Sequence, residues 1–367
     1  MSDAGLYVHV PFCLTRCGYC DFNAYAGLDH LAGRYVRALR SEAELAAPDW
    51  RGARFRSVFF GGGTPTTRPS AELVDVIDHL RGAFEFVGAS EVTVEANPDT
   101  VDRSSLAALL DGGVTRLSMG AQSFDPAVLR ALQRVHDGAS VRRAFDDARA
   151  AGFRDINLDL IFGAEGETRA SWRGTLEATV ALGPEHVSAY ALTIEPATPL
   201  GRAVASGAAQ PPDPDLQADM FAAACDVLGA AGYVHYEVSN WARPGHECAH
   251  NLGYWRHRPY LGLGAGAHSA RDGRRWWNVR PPEQYLALVE SGRAPTGGEE
   301  RLGPEDLRLE SVFLGLRTSE GVPARDVDPG RAAPYLDGGL LAERDGRLVL
   351  TERGLFLSNQ VVLGLAG

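Results

Sequence analysis

Residues 6–22 read LYVHVPFCLTRCGYCDF, a short strand pattern running straight into three cysteines spaced C-x3-C-x2-C. Leu6, Val8 and Val10 alternate with Tyr7 and His9, so the strand has one apolar and one polar face. Cys13, Cys17 and Cys20 follow on the loop at its C-terminal end. Five more strand patterns follow: SVFF (57–60), EVTVE (91–95), RLSMG (116–120), INLDLIF (156–162) and HVSAYAL (186–192). Helical periodicity fills the gaps, as in 30–47 and in 138–153, where Gly152 ends the pattern. Strands that alternate with helices predict parallel βα units.

The strand faces separate a barrel from a flat sheet. Parallel strands covered on both sides are apolar throughout. Here one alternate set is polar: Tyr7 and His9, Thr93 and Glu95, Ser118 and Gln122, Asn157 and Asp159. Four strands aiming polarity at one side, toward their C-terminal ends, predict a lined cavity where a βα barrel builds its active site. The expected fold is α/β, a partial, TIM-like (β/α)6 barrel over residues 1–200.

Residues 200–217 are rich in Gly, Pro and Asp and read as an exposed connection, followed by a helix at 216–231. An aromatic segment occupies 235–269, so 201–295 reads as an extension of the barrel. From 296 to 367 a helix at 304–317, short helices and a hairpin turning at Asp345-Gly346 predict a small winged-helix-like domain. The formal net charge of −11 excludes a general grip on nucleic acid. No apolar run reaches the roughly 18 residues of a membrane span, and MSDAGLYVHVPFC lacks the basic-then-apolar pattern of a leader. With five cysteines, three of them clustered, the expected compartment is the reducing cytoplasm.

Three thiols in eight positions admit three chemistries. One is a zinc site, which needs a fourth ligand such as His9 or Cys248. Another is a disulfide with one thiol left over. The third is a 4Fe–4S cluster with three irons on thiolates and one iron open to a chelating ligand. Of the two other cysteines, Cys225 sits in an apolar helical run and reads as core, and Cys248 reads as a surface thiol. FFGGGTPT (59–66) sets three glycines after a strand, where backbone can approach a ligand. It lacks the Gly-Lys-Ser/Thr of a phosphate loop.

The three-thiol loop after a strand, with the aromatic Tyr19 inside it, resembles that of the radical SAM superfamily. The resemblance continues through GGGTPT, EANP (95–98), GAQSF (120–124), LQRVH (132–136) and NLDLIFG (157–163). It implies a 4Fe–4S cluster on Cys13, Cys17 and Cys20, with S-adenosylmethionine chelating the open iron and cleaved to a 5′-deoxyadenosyl radical. It also implies cofactor contacts from Tyr7, Tyr19, Gly62, Gly63, Thr64, Glu95, Gln122, Arg134 and Asp159. Carboxylates suit ribose hydroxyls and an ammonium group, and an arginine suits a carboxylate.

The motif order, ending in HNLGYW (250–255), is similar to the coproporphyrinogen dehydrogenase-like branch. Two kinds of member compete: oxygen-independent coproporphyrinogen III dehydrogenases and haem chaperones of the HemW type. The dehydrogenase carries a further cysteine two positions beyond the third; this chain has Asp21 and Phe22 there. The dehydrogenase's extended segment ahead of its cluster loop also has no counterpart before Cys13. HNLGYW matches the H-N-x-x-Y-W motif associated with haem in HemW-type proteins, which implies haem contacts from His250, Asn251, Tyr254 and Trp255. His250 would ligate iron, Tyr254 and Trp255 would form a flat wall, and Arg256 and Arg258 would pair with propionates. His268, in YLGLGAGAHS (260–269), is a second candidate ligand. The expected partners are haem, a haem-accepting protein and an electron donor for the cluster. Any membrane contact is expected to be peripheral, through the acceptor.

Overall fold

The computed structural model describes residues 3–366. At its centre are six parallel strands, neighbours in chain order: β1 (Asp3–Val10), β2 (Arg54–Gly62), β3 (Glu85–Ala96), β4 (Arg116–Gln122), β5 (Ile156–Phe162) and β6 (His186–Ala191). The crossovers carry helices α1 (Ala32–Ala46), α2 (Ser70–Ala83), α3 (Arg103–Asp111), α4 (Pro126–Ala131), α5 (Gly138–Ala151) and α6 (Arg169–Leu182). Asp102, Asp125, Asp137 and Thr168 accept from the first free N–H groups of α3 to α6, which fixes where each helix starts.

The outward strand residues, among them Leu6, Val58, Val94, Leu117, Leu158 and Val187, pack against helix residues such as Leu39, Ile77, Leu109, Phe145 and Trp172. Each fully buried aliphatic side chain contributes roughly 1.5–3 kcal/mol. The inward faces prove the curvature. Tyr7 of β1, Glu95 of β3, Ser118 of β4, Asp159 of β5 and Tyr190 of β6 line one cavity of about 180 Å³. Six flat strands would spread over about 24 Å, so the sheet must curl to bring these residues together. No ladder joins its two edges among the described residues, and the barrel is open.

Beyond β6 lie α7 (Pro199–Ala205), α8 (Pro214–Ala230), β7 (Val234–Glu237) and β8 (Asn240–Ala242), then α9 (Ala249–Trp255) and β9 (Tyr260–Leu263). The connection at 200–217 therefore begins with a helix, started by Pro199 and capped by the Thr198 hydroxyl. β9 was not foreseen as a strand. It pairs in parallel with β1 and adds a seventh parallel strand to that side of the sheet. β10 (His268–Arg271), β11 (Arg274–Asn278) and β12 (Thr296–Arg301) continue it antiparallel, with α10 (Pro282–Glu290) between the last two.

The C-terminal region holds α11 (Pro304–Gly315), β13 (Val322–Pro323), α12 (Pro329–Asp337), β14 (Leu341–Arg344), β15 (Arg347–Leu350), α13 (Glu352–Phe356) and α14 (Ser358–Ala366). The three short strands form their own sheet, and Val312, Leu316, Val322, Leu341, Leu348 and Val361 form a separate core. Among the described residues no helix is long and apolar enough to cross a membrane.

One buried carboxylate ties the added strands to the barrel. Glu42 of α1 accepts from Gly264 N–H (2.7 Å), Asn278 Nδ2 (2.5 Å) and Tyr285 Oη (2.7 Å). Burial pushes its pKa up to about 7 against the pull of these three donors. Tyr285→Phe removes one donor without changing shape. It should lower stability by about 1.5–3 kcal/mol, seen as an earlier denaturant midpoint with unchanged slope.

Candidate functional site

The thiol loop is fastened to the end of β2. Gly63 N–H donates to Val10 O and Thr64 N–H to Phe12 O, both at 2.8 Å. A Cβ on Gly63 would lie 2.6 Å from Phe12 O and 2.9 Å from Val10 O, so only glycine admits this approach. The glycines are thus required first by the chain's own packing. Thr64 Oγ1 lies 3.7 Å from Cys13 Sγ and accepts from Asn97 Nδ2 at 3.0 Å.

Cys13, Cys17 and Cys20 all face a cavity of about 400 Å³, and its wall also includes Tyr19, Gly62, Gly63, Thr64, Glu95, Gln122, Arg134 and Asp159. Eleven of the sequence-derived site residues therefore converge there. Tyr7 is not among them; it lines the neighbouring 180 Å³ and 650 Å³ cavities and hydrogen-bonds His9 Nδ1 at 2.9 Å. Gln122 reaches the wall through a register shift after Gly120 and a φ of 63°.

Arg134 is half-buried, bonded to Asn97 Oδ1 (2.6 Å), Gly120 O (3.2 Å) and Cys17 Sγ (3.4 Å). Its Nε is buried without a hydrogen-bond partner. Glu95 accepts from Gly62 N–H at 3.2 Å, and burial followed by the Asp159 charge pushes its pKa up to about 8. Asp159 accepts from Asn157 Nδ2 (2.8 Å) and Ser118 Oγ (3.1 Å), and burial raises its pKa.

These features fit an iron–sulfur cluster with a zwitterionic, cationic ligand. Three thiols sit beside a recessed cation with an unpartnered N–H and two buried carboxylates whose pKa values are raised. The mononuclear zinc alternative fits poorly. Among the described residues no group of three or more His, Cys, Asp or Glu is close enough for one ion. His9 spends both nitrogens on Tyr7 and Asn23 O. Cys248 is fully buried, not a surface thiol, and its Sγ lies 3.5 Å from Glu91. Glu91 pairs with Ser57 near the N-terminal end of the strands, roughly 15 Å of strand below the thiol loop.

HNLGYW forms α9, and the motif divides. Glu91 caps the helix by accepting from Ala249 N–H (2.8 Å) and His250 N–H (3.2 Å). His250 is 3% exposed, and its two ring nitrogens bond Ser57 Oγ and Tyr254 Oη, each at 2.9 Å. It stacks on Phe59 at 5.2 Å, and burial lowers its pKa to about 3. Neither nitrogen is free for iron. Asn251 and Tyr254 line the 180 Å³ cavity, whereas Trp255 faces a cleft beside Val312 and Val322 of the C-terminal region. The expected flat wall of Tyr254 and Trp255 does not exist. Arg256 pairs with Glu320 rather than standing free for a propionate.

Three wall residues escaped the sequence reading. Arg116, 2% exposed, and Tyr190 share strand parity with Ser118 and Ser188, which the alternation rule would have flagged. Asn97 stands two residues beyond Glu95 in EANP, and only the fold shows that it orients both Thr64 and Arg134.

The family model of the radical SAM superfamily matches residues 7–179, and that of the HemN C-terminal domain matches 302–357. A heme chaperone HemW of Mycobacterium tuberculosis is 42% identical over 99% of this chain and 95% of that protein. The heme chaperone HemW of Escherichia coli is 36% identical over 100% and 99%, and that of Bacillus subtilis 34% identical over 97% of each. Among solved structures, Escherichia coli coproporphyrinogen III oxidase (HemN), described as a radical SAM enzyme, aligns with a TM-score of 0.86 at 25% identity, covering 100% of this chain and 90% of that one. The chain belongs to the radical SAM superfamily and, within it, to the family of these HemW relatives. The likeness to HemN reflects a shared fold and does not favour the dehydrogenase reading.

His250 gives a direct test of its position. Because its pKa is about 3, its ring resonances should not move between pH 5 and pH 8, where an exposed imidazole titrates. The unfolded chain binds a proton there that the native ring refuses, so stability falls as pH drops from 6.5 toward 3. His250→Ala should cost about 2–4 kcal/mol in denaturant unfolding, from the lost volume and two stranded partners.

Proposed function

We propose that the chain is a haem chaperone that carries a 4Fe–4S cluster on Cys13, Cys17 and Cys20 and S-adenosylmethionine beside it, binds haem, and transfers it to an acceptor protein. The observation that carries this reading is a pair of cavities that share walls. The 400 Å³ cavity with the thiols and a 650 Å³ cavity with aromatic walls have Asp21, Phe22, Gly62 and Glu95 in common. A cofactor chamber thus opens beside one roomy enough for a large planar ligand. Near-full-length similarity to proteins named heme chaperone HemW supports haem as that ligand.

When bound, the cluster and S-adenosylmethionine supply one-electron chemistry at the sulfonium. The chain's own residues bind and orient. The Arg134 guanidinium, with Nε unpartnered, suits the methionine carboxylate. Glu95 and Asp159 suit the ammonium group and ribose hydroxyls, and their recessed position strengthens each contact. Tyr19 packs with Val128, Leu132 and Ile161, an apolar patch that limits water beside the thiols. The cysteines act as thiolates, so burial of Cys13 and Cys20, which raises their pKa values, makes cluster loading proton-coupled.

The reading is tested by supplying haem and coproporphyrinogen III separately to the anaerobically reconstituted protein. Stable haem uptake, transfer to an apo-haem protein and no decarboxylation are expected; turnover to a divinyl product would overturn it. Cys17→Ala should lose cluster iron and sulfide, whereas Cys225→Ala should keep both.

Glu95 predicts how S-adenosylmethionine affinity depends on pH. With a pKa near 8 in the empty site, Glu95 must lose its proton to meet a cation. Affinity should therefore rise up to about tenfold per unit as pH increases toward 8, with proton release on binding. In Glu95→Gln, calorimetry in buffers of different ionisation enthalpy should show that slope abolished.

A further inference from the structure

The wall chemistry of the 650 Å³ cavity is specific. Tyr254 and Tyr260 meet edge to face at 4.7 Å, and His268 lies nearly parallel to Trp277 at 5.7 Å. Phe22, 63% exposed, stands where this cavity meets the thiol cavity. Arg280 is exposed on the wall, and among the described residues its guanidinium has no carboxylate partner.

Three imidazoles lie in or near this cavity, and two are committed elsewhere. His9 is held by Tyr7 and Asn23 O, and His250 by Ser57 and Tyr254. Only His268 is exposed, and among the described residues neither of its ring nitrogens has a protein hydrogen-bond partner. Its backbone is firmly placed. His268 pairs with Trp277 across β10 and β11, and its carbonyl fills the space a Cβ on Gly262 would take, 2.1 Å away. Burial, then Arg280 and Arg275, lowers its pKa, which keeps the imidazole in the neutral form that ligates metals.

We propose that the haem cargo binds in this cavity with His268 as its iron ligand and Arg280 paired to a propionate, while His250 serves only to hold Tyr254 on the wall. This rests on the haem-transfer reading above. Porphyrin faces suit the two aromatic pairs, a single imidazole suits ferric iron, and an unpaired guanidinium suits a propionate. Haem so placed would lie beside Glu95 and Gly62, the residues that also wall the cofactor chamber.

The test is a haemin titration of the cluster-loaded protein, followed through the Soret band and by electron paramagnetic resonance of the ferric iron. His268→Ala should lose the imidazole-ligated Soret position and weaken binding about tenfold or more, with cluster content unchanged. Millimolar imidazole should restore the band in that variant, because the cavity remains. Arg280→Gln should weaken binding roughly two- to fivefold, the scale of one exposed charge pair, without moving the band. Since His250→Ala could fail to fold, Ser57→Ala serves in its place: it frees His250 Nδ1 without touching the cavity wall and should leave the Soret position unaltered. A His268→Ala variant with wild-type band and affinity would overturn the assignment while leaving haem transfer standing. A wild-type protein that takes up no haem would overturn both.

Discussion

The thiol loop and the end of β2 are held together by two backbone hydrogen bonds across a gap too small for a side chain. Gly63 and Thr64 donate to Val10, the last residue of β1, and to Phe12 of the loop, and Gly63 has no Cβ to intervene. Everything above the sheet takes its position from that seam. Thr64, fixed by it, sits against Cys13 and orients Asn97, and Asn97 in turn holds Arg134 against Cys17. Asn23, at the far end of the loop, bonds Ala265 O and Arg280 O, so the added strands are registered from the same loop. Backbone placement, rather than any one side chain, makes the three thiols converge.

Beneath the seam lies a floor of buried charge. Arg116 is almost fully enclosed, near Glu91, Asp155 and the carboxylates of the cavity wall. An unpaired buried ion costs several kcal/mol, so such a cation persists only with carboxylates around it. Its field also reaches the imidazoles: after burial, Arg116 is the next cause that depresses His186 and His250. His186 bridges Asn157 Oδ1 (2.6 Å) and Tyr236 Oη (2.7 Å), and Asn157 continues to Ser118 and Asp159. The tautomers are therefore set by a connected network in which Ser118, Asn157, Asp159 and His186 satisfy one another before any ligand arrives.

Much of this was legible in the sequence, for identifiable reasons. The six central strands announce themselves because each combines an apolar outward set with polar inward residues, and the cysteine spacing marks the loop. β9 was hidden because Gly262 and Gly264 break its apolar pattern, although those glycines are what let it lie against β1 and His268. The haem role expected of HNLGYW came from the motif resemblance, and the motif alone does not show how the helix divides its residues. An imidazole, two aromatics and two arginines within nine residues suggest a haem clamp, yet a helix turns adjacent positions to different sides. Tyr254 therefore faces the barrel, Trp255 the C-terminal region, and Arg256 meets Glu320.

That division explains how the segment can shape a cavity wall while both His250 nitrogens stay engaged within the protein. Glu91 fixes the start of α9, and Ser57 of β2 fixes His250 beneath it. His250 in turn fixes the Tyr254 hydroxyl, one turn along the helix, and Tyr254 buttresses Tyr260 on the wall of the large cavity. On its other side α9 abuts the C-terminal region through Trp255 and Arg256. The helix is a brace with two loads, so removing His250 would loosen the cavity wall and the C-terminal contact together. Loss of haem binding in such a variant would not identify a ligand; only a spectral signature separates the group that touches iron from the group that holds the wall.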